Sequence, residues 1–222
     1  SPPVLKTLLK DGARMFKVRA KDAAGNVDAT PAEFAWTIDT AAPVTTAACP
    51  ASPTNKVSES ISFSSAETFV TFLCQLNTGT QSACSPPYQA LSLTAGSHRF
   101  EVVGRDQAGN QALLPTVCTW TVDLAAPDTT ISNPPPAATN AISISFTFSS
   151  VDTAATFECE LDSAGYSACT SPQAYSALVV GTHVFRVRSK DPAGNLDATP
   201  AGHTWTIDTA PPDTTMTVSP AN

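Results

Sequence analysis

The chain has 222 residues, a formal net charge of −7 and a sequence pI of about 4.8. Its few basic residues form no patch that could neutralise phosphates, which excludes nucleic acid as a partner. No apolar run approaches the roughly 20 residues of a membrane-spanning helix, so no membrane span is expected in this segment.

One stretch occurs three times, from Gly12 to Asp39, from Gly96 to Asp123 and from Gly181 to Asp208. Its last copy reads GTHVFRVRSKDPAGNLDATPAGHTWTID, and the tryptophans of successive copies are 84 and 85 residues apart. A fixed period of this length predicts tandem domains rather than one larger fold. The predicted segments are the rear part of a repeat at 1–40, complete repeats at 41–124 and 125–209, and the start of a further repeat at 210–222.

Within each repeat, apolar and polar residues alternate with a period of two, which predicts β-strands. In the last copy, Phe185 and Val187 face inward on such a strand, while Arg186 and Arg188 face outward and are expected to form cross-strand charge pairs. About seven short strands per repeat, separated by turns, predict an all-β fold of antiparallel sandwiches of the immunoglobulin or fibronectin III type. The predicted core aromatic residues are Trp36, Trp120, Trp205, Phe16, Phe100 and Phe185.

The junctions between repeats are short and carry proline at the same place, as in DTAAPVTT and DLAAPDTT. Proline fixes φ and leaves few conformers, which favours a semi-rigid joint. A sandwich with an odd number of antiparallel strands has its ends at opposite poles. The sequence therefore predicts that the repeats are arranged end to end.

The six cysteines lie at repeating positions, and two pairs have the same spacing, with nine residues between the partners. The third pair is absent as a pair from the next repeat, where Asn133 and His203 stand instead, as expected of a bridge from the first strand to the last. Zinc prefers a shorter C-x2-4-C spacing and more histidine. Disulfides in an acidic domain of this size indicate an extracellular protein. The predicted bridges are Cys74–Cys84, Cys159–Cys169 and Cys49–Cys118.

The D-x-A-G-N loops are the candidate metal site, because clustered carboxylate and amide oxygens suit Ca²⁺. The alternative is a turn, in which Asp and Asn bond their own backbone and Gly supplies a positive φ. The turn is favoured, because Ala112 replaces one acid in the middle repeat and no fixed ligand spacing occurs. The candidate calcium ligands are Asp22, Asn26, Asp28, Asp39, Asp191, Asn195, Asp197 and Asp208. No other cofactor is expected.

Catalysis is not expected, because no nucleophile, base and orienting group converge once along the chain. The three histidines do not change this interpretation. His98 and His183 are repeat equivalents at the start of a strand, and His203 stands where the other repeat has Cys118.

The motifs FECELD…C, G-x-H-x-F-R-V-R-x-x-D-x-A-G-N-x-D-x-T-P and W-T-I-D-T-x-P-P-D-T resemble the bacterial immunoglobulin-like repeats of large secreted and cell-surface proteins. The resemblance covers essentially the whole chain and brings no catalytic residues with it. It implies a non-enzymatic extracellular array that serves as an adhesin stalk or as the body of a surface fibre or filament.

The alternative is a spacer or carbohydrate-binding accessory region of a secreted multidomain enzyme, for which Tyr88, Tyr166 and Tyr175 are the candidate aromatic contacts. The expected partners are neighbouring repeats of the same protein. Self-assembly into fibres by strand addition at the incomplete segments is a further hypothesis.

Overall fold

The computed structural model describes residues 9–217, and these residues form strands and turns without any helix. None of them therefore forms a helix that could span a membrane. The expected all-β fold class is confirmed. Residues 1–8 and 218–222, which belong to the predicted segments 1–40 and 210–222, lie outside the described part.

The chain divides into two compact units. Unit 1 comprises Ser1–Ala51 and Val57–Trp120, and unit 2 comprises Ser52–Lys56 and Thr121–Asn222. The short segment Ser52–Lys56 thus groups with the later part of the chain, although the sequence places it in the repeat 41–124.

The described part of unit 1 contains a two-stranded, a three-stranded and a four-stranded sheet. Its strands are β1 (Gly12–Val18), β2 (Ala32–Ile38), β3 (Thr45–Ala48), β4 (Glu59–Ser65), β5 (Thr71–Leu76), β6 (Ser82–Cys84), β7 (Tyr88–Ala90), β8 (Gly96–Arg105) and β9 (Thr116–Val122), the last of which ends in unit 2. The strand orders are β1-β2, β3-β4-β7 and β6-β5-β8-β9. The strands from β3 to β9 are the seven expected of one repeat.

Aromatic side chains join the three-stranded sheet to the four-stranded one. The ring of Phe63 on β4 lies 5.1 Å from that of Phe72 on β5 and 6.0 Å from that of Phe100 on β8. Tyr88 on β7 lies 4.9 Å from Phe100. Phe100 and Trp120 are buried between the sheets, as predicted. The middle repeat is therefore a β-sandwich.

The β1–β2 hairpin differs from this arrangement. Phe16 and Trp36, predicted to be core residues, are 46% and 36% exposed. They share one face of the hairpin, since Phe16 pairs with Phe34 and Trp36 with Arg14. Among the described residues, β1 and β2 pair only with each other, and the exposure of these side chains shows that no second sheet covers this face. The prediction of core positions is therefore not met at Phe16 and Trp36.

The described part of unit 2 contains a five-stranded sheet and two two-stranded sheets. Its strands are β10 (Thr129–Ile131), β11 (Ala138–Thr139), β12 (Ile144–Phe146), β13 (Phe148–Ser150), β14 (Thr156–Leu161), β15 (Ser167–Cys169), β16 (Gln173–Tyr175), β17 (Gly181–Lys190) and β18 (Ala201–Ile207). The orders are β11-β18-β17-β14-β15, β10-β13 and β12-β16, and β11 runs parallel to β18. The strand equivalent to β4 is divided at Thr147 into β12 and β13.

The core of unit 2 is centred on a stack of large side chains. The ring of Phe146 lies 4.1 Å from that of Phe185 at an interplanar angle of 15°, and 5.2 Å from that of Trp205. All three side chains are buried, as is Ile207 on the last strand. The inward and outward faces of β17 and β18 are those that the period of two predicts.

All six cysteines are in the three predicted disulfides. Cys74–Cys84 joins β5 to β6, and Cys159–Cys169 joins β14 to β15, each over a sequence separation of 10. Cys49–Cys118 joins the end of β3 to β9 over a separation of 69. In the chain-entropy description, the short loops contribute about 2–3 kcal/mol each and the long loop about 4 kcal/mol to stability.

Unit 2 has a buried pair of hydroxyls at a place where unit 1 has one threonine hydroxyl beside a glycine. Thr129 Oγ1 accepts a hydrogen bond from the backbone N–H of Ser189 at 2.8 Å and lies 2.8 Å from Ser189 Oγ. The equivalents in unit 1 are Thr45 and Gly104. A Cβ at Gly104 would lie 2.8 Å from Thr45 Oγ1, so only glycine fits against that hydroxyl. Thr45 Oγ1 is buried and makes no hydrogen bond.

We predict opposite responses to the same substitution at these two threonines. Thr129→Val should lower the free energy of unfolding of unit 2 by about 1–3 kcal/mol, because it leaves the buried N–H of Ser189 unpaired. Thr45→Val should leave unit 1 unchanged or stabilise it, because valine has the same shape and removes an unsatisfied hydroxyl. Denaturant unfolding of the two variants measures the difference, and equal losses would contradict the assignment.

Candidate functional site at the aspartate–asparagine loops

The D-x-A-G-N loops have the same internal geometry in all three copies. In each, the Asn backbone N–H donates to Oδ1 of the Asp at 2.7–2.8 Å, and the Asn Nδ2 donates to Oδ2 at 2.7–2.8 Å. The Gly has a φ of +95° to +99°, which a side chain would strain. The loops are Asp22–Asn26, Asp106–Asn110 and Asp191–Asn195.

In two copies the same asparagine amide also holds the end of an earlier strand. Asn110 Nδ2 donates to the backbone carbonyl of Asp39 at 3.0 Å, directly after β2. Asn195 Nδ2 donates to the carbonyl of Asp123 at 2.9 Å, directly after β9. Each bond thus joins a loop of one predicted repeat to the last strand of the copy before it. Among the described residues, the amide of Asn26 bonds only Asp22.

A second contact reinforces this joint in unit 2. The backbone N–H of Asn55 donates to the carbonyl of Ala193 in the D-x-A-G-N loop at 3.1 Å. The segment that carries Asn55 is tied in turn to the end of β9, since Thr54 N donates to Thr121 O at 3.0 Å and Asp123 N donates to Thr54 O at 2.9 Å. The loop is therefore bonded to backbone of the preceding repeat at two places.

The six aspartates among the candidate calcium ligands serve local turns. Each accepts, on Oδ1, a backbone N–H from two to four residues later in the chain. Asp28 and Asp197 also accept the hydroxyls of Thr30 and Thr199, at 3.0 and 3.2 Å. These contacts are those of the turn that the sequence favours over a calcium site. The aspartates are Asp22, Asp28, Asp39, Asp191, Asp197 and Asp208.

Three acidic side chains lie close together and are called the acidic group here. Only Asp39 among them is a candidate calcium ligand. Carboxylate oxygens of Asp39, Glu67 and Asp106 lie within 4.8 Å of one another. Glu67 is exposed, but partial loss of hydration beside the other two carboxyl groups raises its pKa, and the charges of Asp106 and Asp39 raise it further. Burial also acts to raise the pKa of Asp106, but the hydrogen bonds from the Asn110 side chain and backbone outweigh it and leave that pKa lowered. Sequence reasoning missed Glu67 because its loop carries no repeated motif.

The two equivalent histidines differ in one hydrogen-bond partner. His183 is buried, with Nε2 2.9 Å from the carbonyl of Val179 and Nδ1 2.6 Å from Asp162 Oδ2. Both partners only accept, so both ring nitrogens carry hydrogen and the imidazole is cationic. The carbonyl of Val179 is the main cause that raises the pKa of His183, and the hydrogen bond to Asp162 adds to it against the opposing effect of burial.

In unit 1, Asn77 stands where unit 2 has Asp162. Asn77 Oδ1 accepts the N–H of Arg99 at 3.0 Å, which directs its Nδ2 to His98 Nδ1 at 3.1 Å. Nδ1 of His98 must then accept, while its Nε2 donates to the carbonyl of Thr94 at 2.8 Å. Both ring nitrogens of His98 therefore have a hydrogen-bond partner.

The outward arginines of β17 are paired across the sheet, as predicted. Arg186 lies 3.2 Å from Glu160, and Arg188 lies 2.6 Å from Glu158 on β14. The guanidinium of Arg188 also lies 4.1 Å from the centre of the Tyr166 ring. This face therefore presents balanced charge rather than a site for a polyanion.

Comparison with known proteins finds similarity to solved structures at low sequence identity. No protein-family model matches the chain, and no curated protein matches it in sequence. Solved structures similar to it include the fibronectin(III)-like modules of CbhA from Clostridium thermocellum, with 17% identity over 74% of this chain and 94% of that chain at a TM-score of 0.47. A tetra-tandem repeat in the extending region of a large adhesion protein covers 91% of this chain and 58% of its own, with 16% identity and a TM-score of 0.32.

A third similar structure is SGBP-B of the Bacteroides ovatus mixed-linkage glucan utilization locus, with 13% identity over 77% of this chain and 48% of that chain at a TM-score of 0.31. The similar structures thus include fibronectin III-like modules and a tandem repeat of an adhesion protein. Identities and TM-scores this low say nothing about role.

We predict that chelation leaves the protein unaffected. Because the loop carboxylates already accept backbone hydrogen bonds, removing Ca²⁺ with EDTA should not change the melting temperature of either unit. Differential scanning calorimetry with EDTA and with added Ca²⁺ measures this. A rise in melting temperature with Ca²⁺ that Asp39→Asn abolishes would contradict the turn interpretation and assign the metal to the acidic group.

We also predict that unit 2 loses stability as the pH rises, through His183. Because the folded-state pKa of His183 is raised, its contribution is fully present below the unfolded value of about 6.5 and is lost as pH rises through the folded value. Asp162→Asn should remove this dependence by reproducing the arrangement around His98. Unfolding free energies measured from pH 5 to 9, roughly the range in which histidine titrates, test it. An unchanged pH profile in Asp162→Asn would contradict the assignment.

Proposed function

We propose that this chain is a stretch of an extracellular, non-enzymatic array of immunoglobulin-like repeats arranged end to end. Its role is mechanical: it separates what lies at its two ends, as the stalk of an adhesin or the body of a surface fibre. The observation that carries the proposal is the hydrogen bond that the side-chain amides of Asn110 and Asn195 donate to the end of the last strand of the preceding copy, at 3.0 and 2.9 Å.

The connection that follows each such bond is fixed at several points, which suits a spacer that must keep its length. In unit 1, Asp39 is held by Asn110, Pro43 is fully buried, and the carbonyl of Thr45 accepts the hydroxyl of Thr116 at 2.7 Å. Proline has few backbone conformers, and each neutral hydrogen bond adds about 1 kcal/mol net. Bending at this connection therefore requires several contacts to break together.

The same order of contacts follows β9 in unit 2. Asp123 is held by Asn195, Pro127 is buried, and Thr129 bonds Ser189 in the core. Two connections of the chain are thus built alike, as expected if the joint is part of the repeat and not an accident of one pair of neighbours.

The disulfides support an extracellular location and a load-bearing role. Three bridges in a chain of this size are typical of proteins that fold in oxidising compartments. Because a cross-link limits how far the chain between its cysteines can extend, the bridges restrict the extension of each sandwich under force.

Carbohydrate binding by an accessory module is less well supported, because the three candidate tyrosines have internal partners. Tyr88 packs on Phe100, and Tyr175 lies 5.9 Å from Phe185, ring to ring, in the core of unit 2. Tyr166 lies beneath the guanidinium of Arg188. Self-assembly by strand addition remains a hypothesis about the segments 1–40 and 210–222.

We predict that the asparagine amide sets the stiffness of the joint. Asn195→Ala should broaden the distribution of angles between the repeats that flank residues 123–127, because it removes the bond to the carbonyl of Asp123. Electron microscopy of single molecules, together with small-angle X-ray scattering, measures that distribution.

Asn26→Ala is the matched control, since it removes the same bond within the loop but no bond to an earlier strand among the described residues. An unchanged distribution in Asn195→Ala, or equal broadening in Asn26→Ala, would contradict the proposed joint. Repeats that fold back on each other in the unmodified protein would contradict the spacer itself.

A further inference from the structure

One end of the middle repeat exposes four large apolar side chains. Val44 and Phe69 are each 75% exposed, Leu113 is 100% exposed and Leu114 is 82% exposed. The sandwich does not require apolar residues at these positions, because the next repeat has small or polar ones in the same fold. Those equivalents are Asp128, Ala154, Ala198 and Thr199.

The segments that carry these side chains meet at one pole of the sandwich in unit 1. The hydroxyl of Thr116, two residues after Leu114, donates to the carbonyl of Thr45 beside Val44 at 2.7 Å. A Cβ built on Gly104 would lie 2.8 Å from Thr45 Oγ1 and 3.0 Å from Val70, the neighbour of Phe69. The four residues therefore surround the same end of the repeat.

Phe69 is unfavourably placed in two respects, and packing does not compensate for either of them. Its φ is +59°, a left-handed conformation that is unfavourable for a residue other than glycine. Its ring is then placed in water rather than in the core. Strain retained without a gain in packing indicates a functional constraint.

The joint with a preceding repeat does not explain the exposed surface. In unit 2, the segments 52–56 and 121–123 are bonded to one another and to the loop Asp191–Asn195. Even so, all four equivalents of the apolar residues remain exposed there. A contact of this kind would therefore leave Val44, Phe69, Leu113 and Leu114 uncovered.

The acidic group lies at the same pole. Glu67 precedes Phe69 by two residues, and its carboxylate lies within 4.8 Å of those of Asp39 and Asp106. No ion pair involves any of the three in the part of the chain that the structure describes. Three carboxylates this close repel one another, so a cation placed here would be attracted to them.

We propose that this pole, formed by Val44, Phe69, Leu113 and Leu114 beside Glu67, is a docking surface. Its partner is a segment of another protein that presents a lysine or arginine next to aliphatic or aromatic side chains. Apolar anchors supply the affinity of such an interface, and the acidic group selects the charged partner. The proposal goes beyond the spacer role: it uses the contact of Asp39 with the middle repeat within unit 1, but not the end-to-end arrangement of an array.

The test uses the full chain and a grafted variant that carries the residues of the next repeat: Val44→Asp, Phe69→Ala, Leu113→Ala and Leu114→Thr. Because these residues occur at the same positions of the same fold, the variant should keep its disulfides and its unfolding transition. A phage-displayed library of random peptides is panned on the native chain, with the grafted variant as the counter-selection.

Enriched peptides should combine Lys or Arg with neighbouring apolar residues, and should bind the native chain roughly tenfold or more tightly than the graft. Glu67→Gln should weaken the same peptides severalfold, and added salt should do so too. The proposal is overturned if no peptide prefers the native chain, or if the enriched peptides lack a basic residue.

Two other kinds of partner for this surface are tested with the native chain and the grafted variant. Sedimentation equilibrium reports whether the native chain dimerises while the graft stays monomeric, which would make the occupant a second copy of this chain. Flotation with phosphatidylcholine vesicles reports a lipid surface. Either result would overturn the proposed peptide partner, whereas a monomeric chain that ignores vesicles and binds basic, apolar peptides supports it.

Discussion

The constraint on which the architecture depends is the double use of one asparagine amide. Nδ2 of Asn195 has two hydrogens, of which one bonds Asp191 within the loop and the other bonds the carbonyl of Asp123. The bond within the loop restricts the amide by itself, so little side-chain conformational entropy remains to be lost in the bond to the earlier strand. Formation of the loop and formation of the joint are therefore coupled, and a repeat that folds correctly presents its own connection to the previous one.

The parts of this fold that could be predicted are those whose interactions impose a recognisable pattern on the amino-acid sequence. Alternation along β17 and β18 placed Phe185 and Trp205 inside because one face of each strand is buried, and that burial imposes the period of two. The pairing of Cys49 with Cys118 followed from their joint absence in the next repeat. The joint left no such pattern, since the acceptor of Asn110 is a backbone carbonyl 71 residues earlier, and every residue type has one. Phe16 was misplaced because burial requires a second sheet as well as a suitable strand.

Two buried polar contacts differ between the complete repeats by one substitution each, beside a residue that both repeats share. Unit 1 has a threonine hydroxyl against glycine where unit 2 has a threonine and a serine hydroxyl that bond each other. Unit 1 has an amide beside the shared histidine where unit 2 has a carboxylate. Because a buried polar group without a partner is costly, a single substitution at such a contact changes which groups are satisfied. The pairs are Thr45 and Gly104 with Thr129 and Ser189, and Asn77 and His98 with Asp162 and His183.

The long disulfide has a mechanical consequence if the chain carries load as proposed. Force that enters the middle repeat along β3 meets Cys49 at once and passes through the bond to Cys118 on β9, so most of the sandwich between them is bypassed. The next repeat has Asn133 and His203 at these positions and transmits force through the hydrogen bonds of β10 with β13 and of β11 with β18. Since these ladders are only two or three residues long, the repeat without the bridge yields first, and neighbouring repeats of one array differ in the force they bear.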